Sequence, residues 1–343
     1  MGDATVPRAP FRKNLAATVI AILLGTTLSG CASSDQEQSL TIYSGRSESF
    51  IAPFFKEFTA QSGIELKIRY GDSSALAAQI LEEGENSPAD LFISQDAGSL
   101  GAVSVSGLLS KLESSLLDRV ETKFRSSNND WVGLTGRARV FAYAPDRVSK
   151  LPTSYQSLIE DQYKGKVGIA PTNASFQAFV TTLIQYQGLT AAEIWLQKMV
   201  ENDVKLYEKN SQIVSAIDSG AIDLGLVNHY YLWEVSESLN RQINVQNGFF
   251  EAGDLGNLIN ISGAAILNQS TNKSAASELI KYLLSDSAQL KFVADTHEYS
   301  VVLVDARPEG LPSFAEIKAP AVDLSRLSDI SQTQKLLIKL GLI

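Results

Sequence analysis

The sequence predicts an α/β protein of two lobes, each a mostly parallel sheet flanked by helices. Three observations carry that expectation. Apolar runs of strand length alternate with stretches of helical spacing, the pattern of parallel βαβ units. Nearly every such run ends in a turn rich in small hydroxyls and amides. The chain's 343 residues, 44% apolar and 20% charged, hold material for two cores.

Residues 39–43 are a strand-like run that closes in the polar turn 44–48. Phe50, Ile51, Phe54, Phe55 and Phe58 then recur at helical spacing, and Gly63 stops that helix as a left-handed residue. Residues 64–70 alternate as a strand, with Leu66 and Ile68 on one face; a helix over 75–83 ends at Gly84. A third strand, 88–93, leads into Ser94-Gln95-Asp96 and a helix over 100–109. The pattern resumes after Trp131 with a strand over 137–143, bounded by Gly136 and Pro145. Residues 167–170 form a strand before Thr172-Asn173-Ala174-Ser175; helices follow over 176–186 and 190–200. A short strand over 204–207 precedes Lys209-Asn210-Ser211 and a helix reaching Ser219. Residues 223–227 are a buried strand ending at Asn228-His229-Tyr230-Tyr231. The remainder reads as a strand over 258–267, helices over 275–284 and 287–295, and a last helix over 328–342.

In open α/β sheets, ligands gather beyond the carboxyl ends of the strands. Here those ends hold 44–47, 94–96, 172–175, 210–211 and 228–231. Hydroxyls and amides dominate and full charges are few. That composition suits a cleft that holds its ligand by directed hydrogen bonds and a few strong anchors. Polar residues also fill turns for local reasons, so the five turns count together rather than singly.

The tyrosine pair is the chemically distinctive stretch. Asn228 is a good helix cap, which would put Tyr230 and Tyr231 in the first helical turn. A helix start favours anions, phenolates among them. Two adjacent phenolates would offer a hard trivalent cation two oxygen donors. A free phenol titrates near ~10, so only a strong Lewis acid would take both protons at neutral pH. The plain alternative is a pair with one ring packed inward and one at the surface. His229 reads as a helix-start or surface residue rather than a ligand. His297 lies outside the set of turns, and Tyr43 and Tyr143 read as core.

Charge and cysteine use narrow the function. The net charge is −9; Arg8, Arg12 and Lys13 against Asp3 give the first thirty residues +2 and leave −11 beyond them. A chain this acidic is a poor partner for nucleic acid. G-x-S-x-G and H-E-x-x-H are absent, there are two histidines, and no nucleophile has an evident base, so an enzyme is not expected. The basic start precedes an apolar run over 15–24, of signal-peptide length and too short to span a bilayer. Leu28-Ser29-Gly30-Cys31 then resembles a bacterial lipobox. The expectation is a signal peptide over 1–30, lipidation at Cys31, a polar tether over 31–38, and an exported monomer anchored by acyl chains on the extracytoplasmic side. A single cysteine excludes an internal disulfide.

Several segments together resemble the periplasmic ferric-iron-binding proteins of bacterial ABC importers. They are Leu-Thr-Ile-Tyr-Ser-Gly-Arg at 40–46, Ser-Pro-Ala-Asp-Leu-Phe-Ile-Ser-Gln at 87–95, Gly-Leu-Thr-Gly-Arg-Ala-Arg-Val at 133–140, Pro171-Thr172, Lys209-Asn210-Ser211 and Asn228-His229-Tyr230-Tyr231. The similarity covers about 39–310, and the tyrosine segment is the most diagnostic. The resemblance implies a type II periplasmic-binding-protein fold with the ligand between the lobes. On it the lobes would be 39–134 with 258–310, and 135–257 with 311–343. It implies Tyr230 and Tyr231 as ligands of ferric iron. A synergistic anion, carbonate, phosphate or citrate, would rest on Asn173, Ala174 and Ser175, with Asn210 and Asn228 opposite. Arg137 lies in the segment that supplies a cleft arginine, and Arg139 is one strand step away.

Two departures stand out. Where relatives carry a histidine and a glutamate on the first lobe, this chain has Ser47 and Gln95. Glu48 and Asp96, next to them, are the available substitutes. The site loses an imidazole and a negative charge, so exogenous oxygen must fill more of the coordination, from an anion, water or a carboxylate chelator. The expected role is capture of ferric iron, bare or chelated, and delivery to an ABC permease. The alternative is a binding protein of the same fold for thiamine, a phosphonate, an oxyanion or a polyamine.

Overall fold

The computed structural model describes residues 39–343, the side chains of Ser325 and Ser328 excepted. Cys31, the signal peptide and the tether lie outside the described residues. Among the described residues no helix is long and apolar enough to cross a membrane.

The first lobe is laid down as β1 (Ser39–Ser44), α1 (Glu48–Ser62), β2 (Glu65–Tyr70), α2 (Ser73–Glu83), β3 (Leu91–Ser94), α3 (Ala97–Val105) and a short α4 (Ser114–Leu117). Local chemistry explains the boundaries. α1 buries Ile51, Phe54, Phe55 and Phe58 and stops at Gly63, whose φ of 75° is left-handed. Asp72 caps α2 by accepting from the N–H groups of Ser74 and Ala75 at 2.9 and 3.3 Å. β4 (Val132–Tyr143) then crosses to the second lobe. There follow β5 (Val167–Ile169), α5 (Ala174–Gln187), α6 (Leu189–Glu201), β6 (Lys205–Leu206), α7 (Asn210–Asp218), β7 (Leu224–Asn228), α8 (Tyr231–Leu239) and β8 (Gln246–Gly248). The chain returns through β9 (Ile259–Ile266), α9 (Lys273–Leu283), α10 (Asp286–Thr296) and β10 (Tyr299–Ser300), and ends with α11 (Phe314–Ile317) and α12 (Ser331–Lys339).

The strands run in the order β2-β1-β3-β9-β4-β7-β5-β6, with β8 and β10 also on β4. β1 pairs in parallel with β2 and β3, and β5 with β6 and β7. β9 and β4 are the antiparallel members that join the two halves. β4 pairs with β9 from Val132 to Ala138 and with β7 from Arg139 to Tyr143. β4 therefore changes partner between Ala138 and Arg139.

The sequence placed the start of β4 at residue 137, with Gly136 as a breaker. The strand begins five residues earlier, at Val132. Gly133 and Gly136 are inside it because neighbours press against it, not because it turns. A Cβ on Gly136 would lie 2.5 Å from a ring carbon of Phe314. That ring stacks on Tyr299 at 4.3 Å and tilts against Phe124 at 5.5 Å. Gly136→Ala should therefore cost about 1–3 kcal/mol, from overpacking, read as a lower denaturant midpoint at unchanged slope.

The same contacts revise the tail. Residues 311–343 were expected to belong whole to the second lobe. Phe314 instead packs on the first, and the Leu327 carbonyl lies against Gly98 of α3. α12 does join the second lobe, where Thr333 shares a buried hydrogen bond of 2.7 Å with Thr181 of α5. Apolar side chains drive both dockings, and the change of lobe at the end of the tail leaves no composition signal. The second-lobe core is an aromatic lattice of Tyr155, Phe176, Phe179 and Trp195 in edge contacts.

Candidate functional site

Tyr230 and Tyr231 stand where β7 hands over to α8. Their rings stack with centroids 4.4 Å apart at 30°. Tyr230 is buried and Tyr231 half-buried. Asn228 does not cap the helix, contrary to expectation. It is the last rung of β7, paired opposite Arg139. The helical bonding begins at Tyr230, whose carbonyl accepts from the N–H groups of Trp233 and Glu234 at 3.1 and 3.2 Å. Strand pairing takes the Asn228 backbone before a cap can form.

The phenol of Tyr231 is pushed well above its ordinary range. Burial is the main cause, followed by the neighbouring Tyr230 and the charge of Glu234; a hydrogen bond with Asn210 acts the other way. In the free protein this group is a neutral phenol. A strong Lewis acid is needed to remove its proton.

Next to the pair lies a polar knot. Asn173 caps α5, its Oδ1 accepting from the N–H of Ser175 at 3.0 Å and from its hydroxyl at 2.7 Å. Asn210 donates to the Ser175 hydroxyl at 3.2 Å and to Asn173 at 3.4 Å, and Arg139 Nη1 donates to that same hydroxyl at 3.2 Å. Ala174 opens α5 beside them. Asn210 is fully buried, and its Oδ1 has no hydrogen-bond partner. Arg139 is 2% exposed. Its guanidinium lies over Phe176 and Phe179 at 5.4 and 5.2 Å. Nε is unpartnered. Burial pulls Arg139 down to about 9, against the raising influence of Tyr231. It remains a cation at neutral pH, at the start of a helix that favours anions.

Arg137, named first for the anion contact, lies beside Glu298, its Nε and Nη2 without a hydrogen-bond partner. Its Nε lies 3.8 Å from Glu298, which takes both terminal nitrogens of Arg46 at 2.9 Å and the Thr135 hydroxyl at 2.6 Å. β4 changes partner from β9 to β7 between the two arginines. Arg139 is the arginine beside the tyrosines.

On the first lobe, Ser47 is exposed at the start of α1, 3.4 Å from the Ser49 hydroxyl, and Glu48 is exposed beside it. Gln95 projects an exposed side chain while its N–H donates to Ser73 at 2.9 Å. Asp96, considered as a substitute ligand, is engaged as the cap of α3. It accepts from the N–H of Ser99 at 2.7 Å and from its hydroxyl at 3.0 Å. Among the described residues no group of three or more His, Cys, Asp or Glu side chains could hold a metal ion.

His229 is not a surface residue. It is fully buried, its Nδ1 accepting from the N–H of Ala138 at 3.2 Å and its Nε2 donating to the His297 carbonyl at 2.6 Å. Burial draws its pKa down to about 4, which keeps it neutral and suits one nitrogen donating while the other accepts. Sequence reasoning set His297 aside and did not single out Glu298; only the resulting fold brings them beside Arg46 and His229.

A family profile described as bacterial extracellular solute-binding protein matches residues 86–324. The chain is 32% identical over 312 residues to the major ferric iron-binding protein of Neisseria meningitidis, covering 88% of this chain and 93% of that one. Its fold matches the crystal structure of iron-bound HitA from Pseudomonas aeruginosa with a TM-score of 0.81 at 31% identity, over 89% of this chain and 99% of that one. A Trichodesmium protein in complex with iron and citrate matches with a TM-score of 0.78 at 28% identity, over 89% of this chain and all (100%) of that one.

Proposed function

The chain belongs to the bacterial extracellular solute-binding proteins, and from that premise we propose that it captures ferric iron between its two lobes and hands it to an ABC permease. The observation that carries the reading is the stacked tyrosine pair set against the Arg139–Ser175–Asn173–Asn210 knot. Tyr230 and Tyr231 supply two phenolates. Asn173, Ala174, Ser175, Asn210 and Arg139 receive an anion, with Asn228 at the edge of the strand beneath. Lobe closure brings up the turns of Ser47 and Gln95, and the bound complex selects the closed state. The place of action is extracytoplasmic, and the lipid on Cys31 is its tether to the membrane.

Charge favours a multiply charged anion. Ferric iron with two phenolates carries +1, and Arg139 adds another unit. Ser47 and Gln95 contribute none. Carbonate, phosphate or citrate restores the balance, and citrate also fills coordination positions that the first lobe leaves open. The iron and citrate complex of the Trichodesmium relative supports that choice. The iron-binding relatives disfavour thiamine, phosphonate or polyamine as the solute, and no observation favours an enzyme.

The test is a titration of the full chain with ferric iron, with and without carbonate, phosphate or citrate. A visible phenolate-to-iron band that needs the anion is expected; no band under any condition overturns the reading. Because the Tyr231 phenol is raised by burial, iron must displace its proton as well as that of Tyr230. Apparent affinity should then fall as pH drops, by about 100-fold per unit where two protons are released. A pH-independent affinity would exclude paired phenolates.

A further inference from the structure

Two adjacent residues, His297 and Glu298, lie where α10 gives way to β10, and their contacts run in different directions. Glu298 receives the bidentate fork of Arg46 at 2.9 Å for both contacts, in a pair only 4% and 2% exposed. Arg46 immediately precedes Ser47 in the first-lobe turn. His297 reaches the second lobe. Its carbonyl accepts the Nε2–H of His229, the residue before Tyr230. Its ring stacks on Trp233 of α8, with centroids 4.9 Å apart at 15°, and its Nε2 lies 3.5 Å from Glu237 on the same helix. His297 does this from a left-handed conformation, φ 53°, that costs an L-residue free energy.

We propose that the His297–Glu298 dipeptide is the positioning element that fixes the spacing between the two sides of the iron cleft. The inference rests on the iron-site reading above. A buried bidentate ion pair is directional and resists sliding, so the Ser47 turn is fixed relative to residue 298. The hydrogen bond and the stack fix α8 relative to residue 297. Neighbours in sequence cannot drift apart, so the two lips open and close about residues 297–298 without sliding past one another. Iron leaves fastest when the first-lobe lip swings away while the tyrosines still hold the metal. Loosening either grip should therefore speed release and leave the phenolate–iron bond unchanged.

Arg46→Met and His297→Gly in the full chain test this. Arg46→Met leaves Glu298 beside Arg137, so the buried carboxylate keeps a cation. His297→Gly suits the left-handed backbone and keeps the carbonyl that His229 uses. Each variant is loaded with ferric iron and carbonate, and the colour band is followed while EDTA removes the metal. Release about tenfold faster or more is expected, since loosened contacts act mainly on dissociation. Band position and intensity per bound iron should match the parent, and Arg46→Lys should restore part of the slow release. Unchanged release in both folded variants overturns the proposal. So does a shifted or lost band in the variants, which would mean that the pair acts on the tyrosines themselves. A parent with no band under carbonate, phosphate or citrate removes the iron-site reading and this inference with it; a normal parent band with unchanged variant release removes this inference alone.

Discussion

The full chain carrying both Tyr230→Phe and Tyr231→Phe should take up no ferric iron that survives a competing chelator, and it should develop no visible band. Phenylalanine keeps the ring volume and the 4.4 Å stack, so the substitution removes two hydroxyls and little else. Both hydroxyls matter because Ser47 and Gln95 are neutral and Asp96 is held by Ser99, which leaves the exposed Glu48 as the remaining first-lobe carboxylate near the turn. A four-ligand metal site worth about 10–16 kcal/mol assigns roughly 3 kcal/mol to each donor, or about 10²–10³-fold in affinity. Each single variant should weaken iron by that factor, and the pair should abolish it. Folding should change by about 1 kcal/mol or less. Unimpaired iron uptake by the folded double variant would mean that the metal, if bound, sits elsewhere.

The parts of this site that sequence reasoning located share one property: their signal is local. Strand ends reveal themselves by a switch from apolar to polar residues, so the turns at 172–175, 210–211 and 228–231 were legible before any coordinates. Their convergence on one knot follows from parallel strands that place these turns on one edge. The failures are non-local. Arg137 and Arg139 look alike in sequence, and only the passage of β4 from β9 to β7 separates them. Gly136 reads as a breaker because nothing nearby announces the ring of Phe314 above it. Asn228 has the chemistry of a cap, yet its backbone pairs across the sheet with Arg139. The Arg46–Glu298 pair joins residues 252 positions apart and has no periodicity to betray it.

Arg139 separates stability from binding. Arg139→Met should make the iron-free protein more stable and its iron uptake nearly insensitive to the supplied anion. The guanidinium is 2% exposed, is drawn down to about 9 by burial, and has an unpartnered Nε. Phe176 and Phe179 line its slot, so an unbranched thioether fits the same space. Replacing a buried, poorly compensated charge with an apolar side chain commonly stabilises by about 1–4 kcal/mol. Thermal unfolding without iron should shift upward accordingly. Binding should respond in the opposite sense. On the proposed site, carbonate, phosphate or citrate would lose the cation beside it, and one charge-assisted contact is worth about 1.5–3 kcal/mol, or roughly 10–100-fold. Iron titrations at rising anion concentration should therefore flatten in the variant and stay steep in the parent. A lower unfolding temperature with the anion response intact would make Arg139 a structural cation of the aromatic core and leave the anion to the α5 terminus and Asn210. The opposite pair of signs would explain why a cation is retained where an apolar residue folds better: it is there for the charge that arrives with the iron.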